Sequence, residues 1–185
     1  MEQSDKRAYR GDFPVRDKDV QASFKYDVAD MVGGEGLLRC LKCGACSGGC
    51  PVGSVIDYRP RKVLGNVLLG LRDEVLSSDQ IWLCAACFTC EERCVQQVNF
   101  TDVVTVLRNM ASREGNAAPG YVKMAEMVQA NGRVSARTGL VDKMREQLGL
   151  PPLQDPDVDQ LQGIMKAAGL DDVLAANKKK EVESE

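Results

Sequence analysis

The chemistry this chain can do sits in its cysteines. All eight fall in two runs, "CLKCGACSGGCP" from Cys40 to Pro51 and "CAACFTCEERCV" from Cys84 to Val95. Both runs have the spacing C-x2-C-x2-C-x3-C: Cys40, Cys43, Cys46 and Cys50, then Cys84, Cys87, Cys90 and Cys94. The second is a near copy of the first, with Val95 where the first has Pro51. The chain contains no histidine. That removes Cys/His zinc fingers, Rieske-type ligation, histidine-bound haem and any histidine-based triad. A metal bound here is bound by thiolates.

This spacing is the one by which bacterial ferredoxins hold [4Fe–4S] cubanes. A cubane offers one iron at each of four corners, and three cysteines so spaced wrap a tight loop around three of them. Gly44, Ala45, Ser47, Gly48 and Gly49 let backbone N–H groups approach the sulfides, where they stabilise added negative charge. The fourth cysteine follows a longer gap, with the chain already leading away, and in two-cluster ferredoxins it ligates the other cluster. The expectation is therefore an exchange: Cys40, Cys43 and Cys46 take Cys94, while Cys84, Cys87 and Cys90 take Cys50. Such an exchange would tie the two runs together through metal. Proline at position 95 would help turn the chain but is no ligand, so Val95 leaves the second set of thiolates intact.

The bland readings of the same cysteines fit less well. Four-cysteine zinc sites show two CxxC pairs separated by a longer loop and need no third cysteine at CxxC spacing. A thioredoxin-type redox pair calls for a βαβ context that is not visible. A disulfide framework belongs to an oxidising compartment. The polar start "MEQSDKRAYRGDF" has no apolar stretch of the signal-peptide kind, and the chain reads as cytoplasmic. Its formal net charge of −3 argues against nucleic acid as a partner, and apolar stretches such as "VLLGL" are too short to span a membrane.

The elements that must position these thiols read as mostly α. An arm covers 1–33, with one short helix near 27–32, and "GGEG" at 33–36 breaks the chain before the first run. That glycine cluster reads as a hinge more readily than as a nucleotide loop. Between the runs, Val63, Leu64, Val67, Leu68 and Leu71 predict a helix over 60–71, with Pro60 in its first turn. Ser78 or Asp79 would cap another short helix. After Cys94, Val103, Val106, Leu107 and Met110 mark a helix face, capped by Thr101 or Asp102 and stopped by Gly115. The β-branched "VVTV" also fits a strand, but length and the Leu/Met continuation favour helix. Three more helical patterns run over 119–132, 139–149 and 155–169, with "LPPLQDP" as a linker. "NKKKEVESE" reads as a solvated, mobile end. Core is expected from 101–115 and subunit interface from part of 119–170.

The stretch "YRPRKVLGNVLLGLRDEVLSSDQIWLCAACFTCEERC", with "CGACSGGCPVG" before it, resembles the C subunit of heterodisulfide reductase over about residues 35–110. The resemblance implies an α-helical ferredoxin domain with two [4Fe–4S] clusters, expected over 34–116, and the helical patterns beyond it read as a docking extension over 117–185. It implies electron transfer, as a non-catalytic subunit, from a flavin-containing A subunit to a B subunit that reduces the mixed disulfide of coenzymes M and B. A hydrogenase or formate dehydrogenase subunit in the wider complex follows from the same family. The paired "CCG" motifs that the family carries on the B subunit are absent from this sequence. Two alternatives stand beside this. One is the iron–sulfur subunit of another oxidoreductase with a heterodisulfide-reductase-like module, and the other is a zinc-dependent structural module.

Three other features carry readings of both kinds. Arg59, Arg61 and Lys62 either bring positive charge near a cluster or a docking surface, or make an ordinary solvated helix start. Trp82 and Phe88, beside the second run, either shield a cluster from water or simply pack.

Overall fold

The computed structural model describes residues 17–54, 59–135 and 137–183. The helices and turns below are the elements among those residues, where no strand occurs. Residues 1–16 of the predicted N-terminal arm lie outside them, while its remainder, 17–33, carries a helix that packs into the core. The chain divides into a first compact unit that ends at Ala111 and a second that begins at Ser112.

In the first unit, α1 spans Phe24–Ala29, earlier than the predicted 27–32. Phe24 and Val28 lie one turn apart and both are fully buried, so they fix the helix by its core face. The glycine cluster that follows is a packed turn. A Cβ on Gly34 would sit 1.8 Å from the Val28 carbonyl oxygen, which only glycine permits. The Gly33 N–H donates to Glu35 Oε2 at 2.9 Å, so this amide is already spoken for within the turn.

The short helix α2, Ala45–Gly48, lies within the first cysteine run. Helix α3 spans Pro60–Leu69 with Pro60 in its first turn, and it buries Val63, Leu64 and Val67 as the periodicity predicts. It stops at Gly70, short of the predicted Leu71, and a second short helix, α4 at Arg72–Leu76, follows at once. Periodicity cannot reveal five residues, yet α4 contributes Val75 and Leu76 to the core. A 3-10 turn over Asp79–Leu83 occupies the next predicted short helix, and Ser78 caps it by accepting the Gln80 N–H at 3.1 Å.

After α5, Thr89–Glu92, the long helix α6 runs Phe100–Arg113 and buries Val103, Val104, Val106, Leu107 and Ala111. The "VVTV" ambiguity resolves as helix. The predicted caps do not serve: Thr101 lies inside the first turn, and its N–H donates to Glu91 Oε1 at 2.9 Å. A carboxylate from α5 thus does what a local side chain usually does. The core gathers α1, α3, α4 and α6 around two fully buried aromatics, Phe24 and Phe100. Burying one such side chain contributes about 1.5–3 kcal/mol.

The second unit carries α7 (Pro119–Asn131), α8 (Gly139–Gln147), α9 (Val158–Ala167) and α10 (Leu170–Glu183). Helix α7 packs against α9 and α10. Asp157 caps α9 by accepting the Gln160 N–H at 2.9 Å. The linker at 150–156 is held by arginines: Arg137 pairs with Asp155 at 2.8 Å, and Arg145 donates to the Pro151 carbonyl at 2.7 Å. The charge run read as a solvated tail carries helix through Glu183, with Lys178, Lys179 and Lys180 exposed. Its first residue, Asn177, is buried.

Candidate metal centres

The two cysteine runs fold along the same path. Each begins on a 3-10 turn, Leu37–Arg39 or Asp79–Leu83, and its first cysteine is extended, with φ −67° and ψ 118° at Cys40 and φ −64° and ψ 120° at Cys84. Two residues on, the backbone is left-handed, at φ 54° for Lys42 and 49° for Ala86. Just after the second cysteine it is left-handed again, at 91° for Gly44 and 60° for Phe88. Such conformations cost non-glycine residues about 1–2 kcal/mol each, and loops keep them where geometry is tied to function. Helix α2 or α5 then follows, and the fourth cysteine closes the loop. The Cys50 N–H donates to the Ser47 carbonyl at 3.3 Å and the Cys94 N–H to the Glu91 carbonyl at 2.9 Å. The two short helices pack against each other, which brings the runs side by side.

The thiols line two cavities. Cys40, Cys43, Cys46 and Cys94 share the first, closed by Leu64, Val98 and Phe100, with Arg61 and Lys42 also in its wall. Cys50, Cys84, Cys87 and Cys90 share the second, with Pro60, Phe88, Phe100 and Thr101. All eight thiols are free of disulfides. Among the described residues no three His, Cys, Asp or Glu side chains converge as a single metal ion would need. The cysteines instead line a shared cavity four at a time, which suits a group with several metal corners.

The turn after Cys94 forms without proline. The Gln97 N–H donates to the Cys94 carbonyl at 3.0 Å, and Val95 points out at 78 % exposure. In the first cavity, backbone N–H groups reach sulfur: Lys42 to Cys40 Sγ at 3.4 Å and Val98 to Cys94 Sγ at 3.3 Å. In the second, hydroxyls do so: the Cys87 thiol contacts Thr89 Oγ1 at 3.5 Å, and Cys90 Sγ lies 4.0 Å from Thr101 Oγ1.

These surroundings separate the thiols. Burial pushes Cys46 up, and burial pushes Cys90 up to about 11. The hydrogen bond with Thr89 pulls Cys87 down. Metal loading displaces the proton a thiol carries at neutral pH, and burial makes that harder at Cys90.

Phe100 and Thr101, at the start of α6, are wall residues that cysteine spacing could not reveal. The only sequence signal near them was the expected helix cap. Arg61 lines the first cavity, which fits the reading of positive charge near a cluster. Trp82 lines neither cavity; it is partly buried against the core, with the Arg108 guanidinium 5.7 Å from its ring centre. Phe88 lines the second cavity while half exposed.

Comparison with known proteins agrees with this geometry. Residues 36–98 match the family described as "4Fe-4S dicluster domain", so the chain holds an iron–sulfur domain. The chain is 36 % identical over 170 residues to the second iron–sulfur C subunit of the CoB–CoM heterodisulfide reductase of Methanocaldococcus jannaschii, covering 85 % of this chain and 91 % of that protein. It is 34 % identical over 169 residues to the C subunit of the H(2):CoB-CoM heterodisulfide,ferredoxin reductase of Methanothermobacter thermautotrophicus, covering 88 % and 91 %. It is 34 % identical over 145 residues to the C subunit of the ferredoxin:CoB-CoM heterodisulfide reductase of Methanosarcina mazei, covering 75 % and 89 %.

Proposed function

The chain belongs to the family of iron–sulfur C subunits of heterodisulfide reductase, and from that premise we propose that it relays electrons between the other subunits of such a reductase. The flow runs from a flavin-containing A subunit to a B subunit that reduces the mixed disulfide of coenzymes M and B. Two [4Fe–4S] clusters supply the electron-carrying chemistry when bound. Cys40, Cys43, Cys46 and Cys94 hold one, and Cys84, Cys87, Cys90 and Cys50 hold the other. One observation carries this reading: each cavity gathers three thiols from one run and the fourth from the other.

The protein's own residues shape both sites. Phe100, Leu64 and Val98 keep the first cavity apolar, Phe100, Val52 and Pro60 do so in the second, and N–H or hydroxyl groups reach sulfur in each. Relatives' names differ in the donor, with hydrogen, formate and ferredoxin all represented. We read the donor as a property of the partners, a hydrogenase or formate dehydrogenase among them. The complex is read as cytoplasmic, where thiols stay reduced for loading. Among the described residues no helix is long and apolar enough to cross a membrane. We read the ferredoxin domain at 34–116 and the docking extension at 117–185.

Anaerobic purification tests the reading. About eight iron and eight acid-labile sulfide per chain are expected, as two cubanes require, and the A and B subunits should co-purify. Stoichiometric zinc in a colourless protein would end it. Iron–sulfur protein that co-purifies with other redox proteins, and without a B subunit, would move the chain to a related oxidoreductase.

A further inference from the structure

The two runs are duplicates in path but not in charge. At Gly44 the left-handed backbone and the missing side chain leave a space that Arg61 occupies. A Cβ there would meet Arg61 Cδ at 3.3 Å and Nη1 at 3.6 Å. The Arg61 N–H donates to Ser47 Oγ at 3.0 Å, which ties the first turn of α3 to α2. The guanidinium arm is thereby laid along the loop that follows Cys43, in the wall of the first cavity. At the matching position of the second run stands Phe88, and among the described residues no charged side chain lines the second cavity, whereas Lys42 joins Arg61 in the wall of the first. Among the described residues, Glu91 and Arg108 lie behind that second wall with opposite signs. Glu91 accepts the Thr101 N–H at 2.9 Å, and Arg108 donates to the Cys84 carbonyl at 2.8 Å. Arg93 passes over Gly49 and lines neither cavity. Backbone N–H donors to sulfur add to the same asymmetry, since those found belong to the first cavity.

We propose that Arg61, seated over Gly44, makes the first cavity the better of the two for holding added negative charge, and so orders the two centres within the chain. The inference rests on the two-cluster reading above. A fixed positive charge near a thiolate-bound centre stabilises each electron added to it, and the effect is strongest where the wall excludes water. Arg61 is exposed on its outer side, so salt screens part of its effect. Arg61 is a positioning residue for charge and is not a ligand.

The test is a redox titration of the full-length, anaerobically purified protein, followed by EPR. Cys43→Ser and Cys87→Ser assign the two signals. Each belongs to the first three cysteines of its own run, so the assignment does not depend on the exchanged fourth ligands. The signal assigned through Cys43 is expected to reduce at the higher potential. Arg61→Gln should lower its reduced-to-oxidised ratio at fixed potential by about tenfold, which is about 59 mV for one electron. The signal assigned through Cys87 should stay in place. Arg61→Lys should restore most of the shift, and added salt should shrink it, neither of which a purely structural role predicts. The proposal is overturned if the Cys43 signal titrates below the Cys87 signal, if Arg61→Gln leaves it unmoved, or if both signals shift together. Purified protein with no iron and no sulfide would instead sink the two-cluster reading itself.

Discussion

Phe100 is the side chain that the two cavities have most plainly in common, lining both while only 1 % exposed. It sits at the head of α6, so the longest core helix of the first unit starts on the wall between the thiol sets. Cys50 and Cys94 show the same interleaving, since each lines the cavity of the other run. This gives a sharp expectation for Cys50→Ala in the anaerobically purified protein. The EPR signal of the centre wrapped by Cys84, Cys87 and Cys90 should be lost or altered, while the signal of the other centre persists. Damage confined to the Cys40–Cys46 centre would refute the exchange of ligands. Among these residues the cysteines were legible from type and spacing alone. Arg61 was legible as one of three basic residues that could bring charge near a cluster, but Phe100 and Thr101 were not legible as wall residues, because they reach the cavities from a helix whose placement spacing does not encode.

Elements were legible where a periodic face or a proline or glycine boundary marked them, and length alone was no guide, since the end of the long helix α10 read as a mobile tail. Helices α3, α6, α7 and α9 announce themselves by periodicity, proline starts or glycine stops. Helix α4 has five residues and carries no such pattern. The cap that was legible is local: Ser78 serves its own turn, whereas α6 takes its cap from Glu91 on α5. Asn177 is the same case at the other end of the chain. Its Oδ1 accepts the Ala117 N–H at 2.8 Å, and its Nδ2 donates to the Ser112 carbonyl at 2.8 Å and the Val173 carbonyl at 2.7 Å. Nothing in "NKKK" forecasts a buried amide that fastens α10 to the segment after α6. Asn177→Ala would leave these groups unpaired at a cost of about 1–3 kcal/mol. Amide hydrogen exchange should show α10 opening about tenfold or more faster, with the cysteine-bearing unit unchanged. Unaltered protection of α10 would show that the amide network is not what fastens it.

At the scale of the whole molecule, the two units differ in how well they bury themselves. The first has a continuous apolar core. In the second, Leu174 is the buried apolar side chain among the described residues, and α7, α8 and α9 bury none. On α8 and the residue that follows it, Leu140 is 67 % exposed, Met144 52 % and Leu148 70 %, at helical spacing on one side. A domain with so little interior is marginal by itself, and an apolar stripe of this kind fits the proposed role in docking. The double change Leu140→Glu and Met144→Glu should therefore reduce co-purification of the A and B subunits severalfold. Iron content per chain should remain as in the unchanged protein. Full co-purification of the double variant would remove α8 from the interface.

The sequence by itself determined the two sets of thiols, the mostly helical class and the duplication, because thiol spacing and apolar periodicity are local properties of a chain. Tertiary structure alone decided which walls enclose which thiols. Pro60, Arg61, Leu64, Phe100 and Thr101 come from α3 and α6, and their approach to the cysteine loops is set by core packing around Phe24, Val67 and Leu107. It also decided that duplicates alike in spacing differ in charge. Glycine at position 44 leaves room for an arginine from another helix, and phenylalanine at position 88 lines its cavity without one.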